Sequence, residues 1–261
     1  MSVRKLFDSI GGKVALITGG SRGLGLQMAE ALGEMGAKVA ITARKQGELD
    51  EASAHLQALG VDVLTVQGDL SKFDTIPGMV DQVLGRFGAV DILVNNAGAS
   101  WGAPVEDHPR EAWNKVMDLN INAMFFITQD VGKRSMIPRR SGKIVNISSA
   151  AALHAAEPDS PMKTISYHTS KAAVLGFTRQ LAAEWGKHNI NVNAICPGWF
   201  PSRMTKGILD ELGVGKAAIQ KSPLHRLGDE EDLKGIVVYF ASEASRHVTG
   251  QYLVVDGGAG I

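Results

Sequence analysis

The feature that most constrains this chain is a five-residue run, Val14-Ala15-Leu16-Ile17-Thr18, that opens directly into a glycine-rich turn. The turn reads Gly19-Gly20-Ser21-Arg22-Gly23-Leu24-Gly25, and apolar residues at helical spacing follow it. A short apolar run without polar alternation marks a strand covered on both faces, as in a parallel sheet. A strand that passes through glycines into a helix is the opening half of a βαβ unit.

The same alternation continues along the chain. Strands are expected at 14–18, 38–42, 61–66, 92–95, 143–149, 191–195 and 252–255. Helices are expected at 24–35, 48–59, 73–87, 110–137, 165–187 and 229–244. Gly36 and Gly60 sit where the first two helices should stop. The pattern predicts an α/β fold: one doubly wound parallel sheet of about seven strands with helices on both faces. No linker composition, internal repeat or low-complexity tract interrupts it, so 1–261 reads as one domain.

Composition removes other classes. Lys and Arg number 27 and Asp and Glu number 27, so the formal charge is zero and nothing favours nucleic acid or an anionic membrane as partner. A hydrophobic content of 44% excludes a disordered chain. No apolar run is long enough to span a bilayer, and residues 1–12 hold none that would serve as a signal peptide. The lone Cys196 forms no internal disulfide. A soluble protein of the cytoplasm is the expectation. The seven histidines show no metal-ligand spacing, so no metal is expected.

The glycine turn carries the first chemistry. Gly19 permits a tight turn, Gly23 lets backbone approach a pyrophosphate, and Gly25 lets the helix pack close to the sheet. The helix N-terminus then offers free N–H groups to phosphate. At the end of the second strand, where an acid would bind the ribose of NAD, the chain reads Thr42-Ala43-Arg44-Lys45. Arg44, flanked by Arg22, suits a 2′-phosphate, which predicts NADP(H) in preference to NAD(H).

The second constellation is spread over the chain. Tyr167 and Lys171 are four residues apart on one face of an expected helix. Ser148 and Ser149 end the fifth strand, and the ends of strands are where an open α/β sheet binds ligands. Asn120 lies inside a helical stretch, an unfavourable place for that side chain.

With these motifs in hand the chain resembles the short-chain dehydrogenase/reductase family over 13–258. The resemblance rests on Thr18–Gly25, Asp69-Leu70, Asn95–Gly98, Asn120, Ser149, Tyr167 with Lys171, and Pro197-Gly198. It implies a Rossmann domain and an oxidoreductase that interconverts a carbonyl and a secondary alcohol. Tyr167 would be the general acid and base, favoured as phenolate by Lys171 and a positive nicotinamide. Ser149 would hold the substrate oxygen, and Lys171 the nicotinamide ribose. Asn120 would help place a water that links the lysine to solvent. The resemblance puts Gly19, Ser21, Arg22, Gly23, Leu24, Gly25 and Arg44 around the phosphates. Asp69 and Leu70 would border the adenine. Asn96, Ala97 and Gly98 would border the ribose and cofactor backbone. Pro197, Gly198 and Ser202 would border the carboxamide. Ser148 competes with Ser149, but the family pattern favours the second serine. Cys196 reads as a small buried hydrophobe, and His154 and His168 as surface residues.

Two regions depart from the common pattern. The stretch 150–166, with Pro158 and Pro161, is several residues longer than usual and is expected to loop beside the pocket. The segment 199–227 corresponds to a substrate lid. Within it Trp199, Phe200, Ile208, Leu209, Leu212 and Val214 favour an acyl chain or another hydrophobic ketone. Gly198–Thr205 and Asn95–Gly102 resemble the β-ketoacyl reductases of rhamnolipid pathways, and the chain is also similar to gluconate 5-dehydrogenases. The leading expectation is a 3-oxoacyl thioester reductase. The alternatives are a sugar-acid dehydrogenase and a catalytically silent NADP sensor. The C-terminal stretch 249–258 resembles the family's tetramer-forming end, so a homotetramer is expected.

Overall fold

The computed structural model describes residues 2–156, 160, 162–210 and 214–261. Seven strands form one sheet: β1 (Val14–Thr18), β2 (Lys38–Ala43), β3 (Val63–Gln67), β4 (Ile92–Asn95), β5 (Gly142–Ile147), β6 (Ile190–Pro197) and β7 (Tyr252–Val255). Their order is β3-β2-β1-β4-β5-β6-β7, and every neighbouring pair is parallel. Helices α1 (Val3–Phe7), α2 (Gly23–Glu34), α3 (Gln46–Ala58) and α4 (Ile76–Phe87) accompany the first half. The second half carries α5 (Arg110–Met117), α6 (Ala123–Val131), α7 (Ile137–Arg139), α8 (Ile165–Trp185), α9 (Lys206–Asp210), α10 (Val214–Lys221) and α11 (Lys234–Ala241).

Strand alternation divides the core between the two faces of the sheet. Ala15 and Ile17 of β1 join one cluster with Met28 and Leu32 of α2 and Val237 and Phe240 of α11. Val14 and Leu16 point the other way, into a cluster with Val80 and Val83 of α4 and Ile127 and Val131 of α6. All five β1 residues are therefore buried, as the unalternating run requires. Truncating a fully buried residue such as Leu16 to Ala would cost about 2–5 kcal/mol.

The chain builds outward from β1 to β3, then returns to lay β4 against the opposite side of β1. The connections leaving β1 and β4 diverge there, which opens a crevice at the carboxyl ends of both strands. The glycine turn and the Asn95–Gly98 loop meet at this point. Asn96 donates from Nδ2 to the carbonyls of Thr18 and Gly19 at 2.9 and 3.1 Å. Thr18 Oγ1 accepts the N–H groups of Asn96 and Ala97.

Several element ends differ from the sequence reading. The long helix over 110–137 is broken by π-helical turns at Asp118–Asn122 and Gly132–Met136. Strand β5 stops at Ile147, before both serines. Helix α11 is shorter than 229–244. Asp229 and Asp232 are used in a turn, accepting from the N–H of Glu231 and of Asp229, and Ser242 is extended at the other end. The short helices α1, α9 and α10 carry no periodicity long enough to be seen in sequence. Among the described residues no helix is long and apolar enough to cross a membrane.

Candidate active site

A groove of about 510 Å³ runs along the crevice. With one exception, every residue proposed from sequence for cofactor or catalysis lines it, from Gly19 and Ser21 through Asn96 to Gly198 and Ser202. The exception is Asn120, which is fully buried behind the wall.

At the inner end, the first turns of α8 carry Tyr167 and Lys171 on one face. The Ser149 hydroxyl and the Tyr167 phenol both face the groove, near enough for the hydroxyl to favour the ionised phenol. Lys171 is 4% exposed and donates from Nζ to the Ile147 carbonyl at 2.8 Å, with Nζ 5.7 Å from the centre of the Tyr167 ring. Burial drives its pKa down to about 8, opposed only in part by Cys196. Desolvation likewise pushes the Tyr167 phenol above its usual range, and the neighbouring Ser149 hydroxyl offsets this only partly. The sequence reading had Lys171 and the nicotinamide lowering the phenol. In the chain by itself desolvation wins, and the phenol keeps its proton at neutral pH.

The two serines separate cleanly. Ser148 is buried and donates from Oγ to the Lys171 carbonyl at 2.8 Å, tying β5 to α8. Ser149 is left facing the groove, its Oγ also accepting from the Ala151 N–H at 3.2 Å. Cys196 is completely buried and burial raises its thiol, so it is packed rather than reactive.

Asn120 lies in the first π-helical turn. Its Nδ2 donates to the Ala99 carbonyl and to Ser170 Oγ, both at 2.9 Å, and its Oδ1 accepts from the Ala99 N–H at 2.8 Å. Both amide N–H groups are thus committed to protein partners. The side chain braces the loop after β4 against α8.

The outer end is built to take a phosphate-bearing group. Gly23 adopts φ +51°, and a Cβ there would meet only Ser202 Cβ at 4.0 Å across open groove. At Gly25 a Cβ would lie 2.3 Å from the Gly19 carbonyl oxygen, so α2 can start against the turn only with glycine there. Asp69 holds its carboxylate despite partial burial, because hydrogen bonds from Ser71 and the charges of Arg44 and Lys72 outweigh the desolvation. Three cations, Arg22, Lys45 and Arg203, converge on Glu48 Oε1 at 2.8, 3.2 and 3.0 Å. Glu48 and Arg203 were not singled out from sequence. They are 155 residues apart, and only the fold brings them together.

The loop 150–166 lies partly outside the described residues, including Pro158 and Pro161. What is described shows the Lys163 carbonyl accepting from the Ala103 N–H at 2.8 Å, which places the end of this loop beside the segment that carries Trp101. His168 bonds back to Thr164 and is half-buried rather than a free surface residue. In the segment 199–227, Phe200 and Leu209 are buried, and Phe200 packs so closely on Gly228 that a Cβ there would lie 2.4 Å from its ring. Their apolar character serves packing first. Leu212 lies outside the described residues. Among the described residues no three His, Cys, Asp or Glu side chains converge to hold a metal ion.

A parallel sheet with a phosphate cradle at its switch point and a Ser-Tyr-Lys set beside it defines a nucleotide-dependent oxidoreductase. The chain belongs to the short-chain dehydrogenase/reductase family, whose members act here on CH–OH groups. The family model described as "Enoyl-(Acyl carrier protein) reductase" matches residues 19–260. The chain is 38% identical over 258 residues to gluconate 5-dehydrogenase of Gluconobacter oxydans, covering 99% of this chain and 98% of that protein. It is 37% identical over 256 residues to the rhamnolipids biosynthesis 3-oxoacyl-[acyl-carrier-protein] reductase of Pseudomonas aeruginosa, covering 97% and 98%. Its backbone matches a gluconate 5-dehydrogenase from Burkholderia cenocepacia J2315, solved with NADP and tartrate, at a TM-score of 0.90 and 31% identity, covering 97% and 98%.

Proposed function

We propose that this chain is an NADP(H)-preferring reductase that converts a carbonyl to a secondary alcohol and back, with Tyr167 as general acid and base. The observation that carries the reading is that Ser149, Tyr167 and Lys171 line the inner end of one groove, with Lys171 Nζ 5.7 Å from the centre of the Tyr167 ring, while the outer end gathers cations. A bound nicotinamide would supply or accept the hydride. Residues 19–25 would hold the pyrophosphate, and Arg22 and Arg44 the 2′-phosphate, while Asp69, Leu70 and Asn96–Gly98 would border the adenosine half. Lys171, Pro197, Gly198 and Ser202 would border the nicotinamide half.

The residues divide the chemistry. Ser149 donates to the substrate oxygen and fixes it near the phenol. Tyr167 retains its proton in the buried groove and delivers it from Oη to the carbonyl oxygen; in the reverse direction it removes the alcohol proton. Lys171, pinned through Nζ to the Ile147 carbonyl, keeps a positive charge beside the ring below about pH 8. Asn120 holds the loop and helix that set these distances. Retention of all four groups argues against a silent NADP sensor.

For substrate, the leading reading is a 3-oxoacyl thioester or similar hydrophobic ketone. The apolar side chains of Trp101 and Met204, 42% and 44% exposed on the segments flanking the groove, favour it. The second reading, a sugar-acid dehydrogenase, is favoured by the inward packing of Phe200 and Leu209, which removes apolar surface from the lid. NADPH oxidation against 3-oxoacyl thioesters, hydrophobic ketones and 5-ketogluconate separates them. Turnover confined to 5-ketogluconate would overturn the leading reading, and silence with tight NADPH binding would favour the sensor.

The same proposal includes a single catalytic domain, 1–261, with a lid over 199–227, working in the cytoplasm as a homotetramer. The single sheet supports one domain. Exposed Phe125 and Phe126, stacked with Phe73 and Phe177, and exposed Tyr252 and Leu253 on the edge strand β7, offer two apolar faces for self-association. Light scattering that returned a monomer at micromolar concentration would remove that part.

A further inference from the structure

The adenosine end of the groove holds an arrangement that the catalytic reading does not use. Arg22 comes from the glycine turn, Lys45 from the end of β2, and Arg203 from the start of the lid, yet all three meet one oxygen of Glu48. Among the described residues these three positive charges share the one Glu48 carboxylate, while Arg44 lines the same groove beside Asp69. A phosphate monoester carries about −1.5 to −2 at neutral pH and three acceptor oxygens, so it matches that excess better than a carboxylate does. Arg203 is not on a loose strand. Thr205 Oγ1 donates to the Phe200 carbonyl at 2.6 Å and accepts from the Ser202 N–H at 2.9 Å, and the Lys206 N–H donates to the Ser202 carbonyl at 2.8 Å. The turn that presents Arg203 is therefore locked to buried Phe200 at one end and leads into α9 at the other.

We propose that Arg203 reads the 2′-phosphate of the cofactor from the lid side, and that Glu48 holds its place there and yields Arg203 to the phosphate. The locked turn 202–205 then presents Arg203 to a 2′-phosphate from a preset position, and a 2′-hydroxyl gives it nothing to hold. Glu48 opposes the incoming phosphate by its own charge while keeping the three cations gathered. This inference rests on the NADP(H) reading and adds to it a specificity residue from the lid.

The test uses 2′,5′-ADP and 5′-AMP, which differ only in the 2′-phosphate, titrated calorimetrically into the parent, Arg203→Ala and Glu48→Gln. Arg203 is largely exposed, so its truncation leaves the fold in place. The expected result is that Arg203→Ala binds 2′,5′-ADP about 5- to 10-fold more weakly with 5′-AMP unchanged, the loss of one charge-assisted contact. Glu48→Gln should bind 2′,5′-ADP about 3-fold more tightly, since a like charge is removed. In the parent, 2′,5′-ADP but not 5′-AMP should protect the lid from trypsin at Arg203 and Lys206. If the parent binds both nucleotides alike, the NADP(H) reading itself fails. If the parent prefers 2′,5′-ADP and Arg203→Ala keeps the full preference, that reading stands and the role given to Arg203 is overturned. Weaker 2′,5′-ADP binding by Glu48→Gln would overturn the role given to Glu48.

Discussion

The two ends of the groove are built from opposite materials. At the catalytic end the polar groups are buried, and each is tied to backbone: Lys171 to the Ile147 carbonyl, Ser148 to the Lys171 carbonyl, Asn120 to both backbone groups of Ala99. At the adenosine end long side chains, with Arg22 47%, Lys45 66% and Arg203 65% exposed, meet on one carboxylate oxygen. Short side chains bonded to backbone hold an atom where a proton must pass, because few torsions are left free. Long exposed cations can trade one anion for another at little loss, since surface ion pairs are worth about 0–1 kcal/mol. Chemistry needs the first kind of construction and exchangeable recognition the second.

The contrast can be broken most directly at Tyr167. Tyr167→Phe should lower kcat by about 10³-fold or more, the scale of a lost general acid, with NADPH binding nearly unchanged. Retention of most activity would show that the buried end is not where the proton moves.

Asn120→Ala should come next. It strands the Ala99 N–H and carbonyl and a Ser170 contact behind the groove, and unfolding by urea should show a loss of about 2–4 kcal/mol. A loss below half a kilocalorie would mean that the buried brace is no firmer than the exposed corner.

Lys171 supplies a pH dependence. Its folded pKa of about 8 lies below the ordinary lysine value, so between these the unfolded chain binds more protons. Its contribution to stability therefore rises with pH through that window and is least favourable below about 8. Relative to Lys171→Met, the parent should gain about 2–3 kcal/mol between pH 7 and pH 10.5, from two or so pKa units at 1.36 kcal/mol each. A stability difference flat with pH would show that the ammonium is solvated.

The smallest effects belong to the adenosine end. Arg44→Asp should weaken NADPH about 10- to 100-fold and leave NADH within a few-fold. Raising salt should shrink the NADPH preference of the parent while the kcat of the saturated enzyme hardly moves. Equal salt sensitivity at both ends would erase the distinction between them.

Much of this was legible in the chain because it is local. The run 14–18 and the glycines after it specify a strand, a turn and a helix start from neighbours in sequence, and the tyrosine and lysine of α8 share a face by helical spacing alone. What was not legible depended on distant partners. The apolar residues of 199–227 favour a hydrophobic substrate in sequence, but spacing does not show that Phe200 is buried in the groove wall and Leu209 is buried as well. The bracing role of Asn120 depends on Ala99 and on Ser170, which lies 50 residues away, so its spacing in sequence does not show it. The end of β5 was set too late because Ser148 continues to donate its N–H to Ile195 after the strand has stopped.

The sequence by itself therefore determined the class of fold and which residues come together along the groove. These follow from periodicity and from residue chemistry, which neighbours in the chain express without help. Only the tertiary structure decided that desolvation raises the Tyr167 phenol and draws Lys171 down to about 8, and that Arg203 reaches Glu48. Desolvation and long-range charge depend on what surrounds a group in space, and a linear spacing does not encode that.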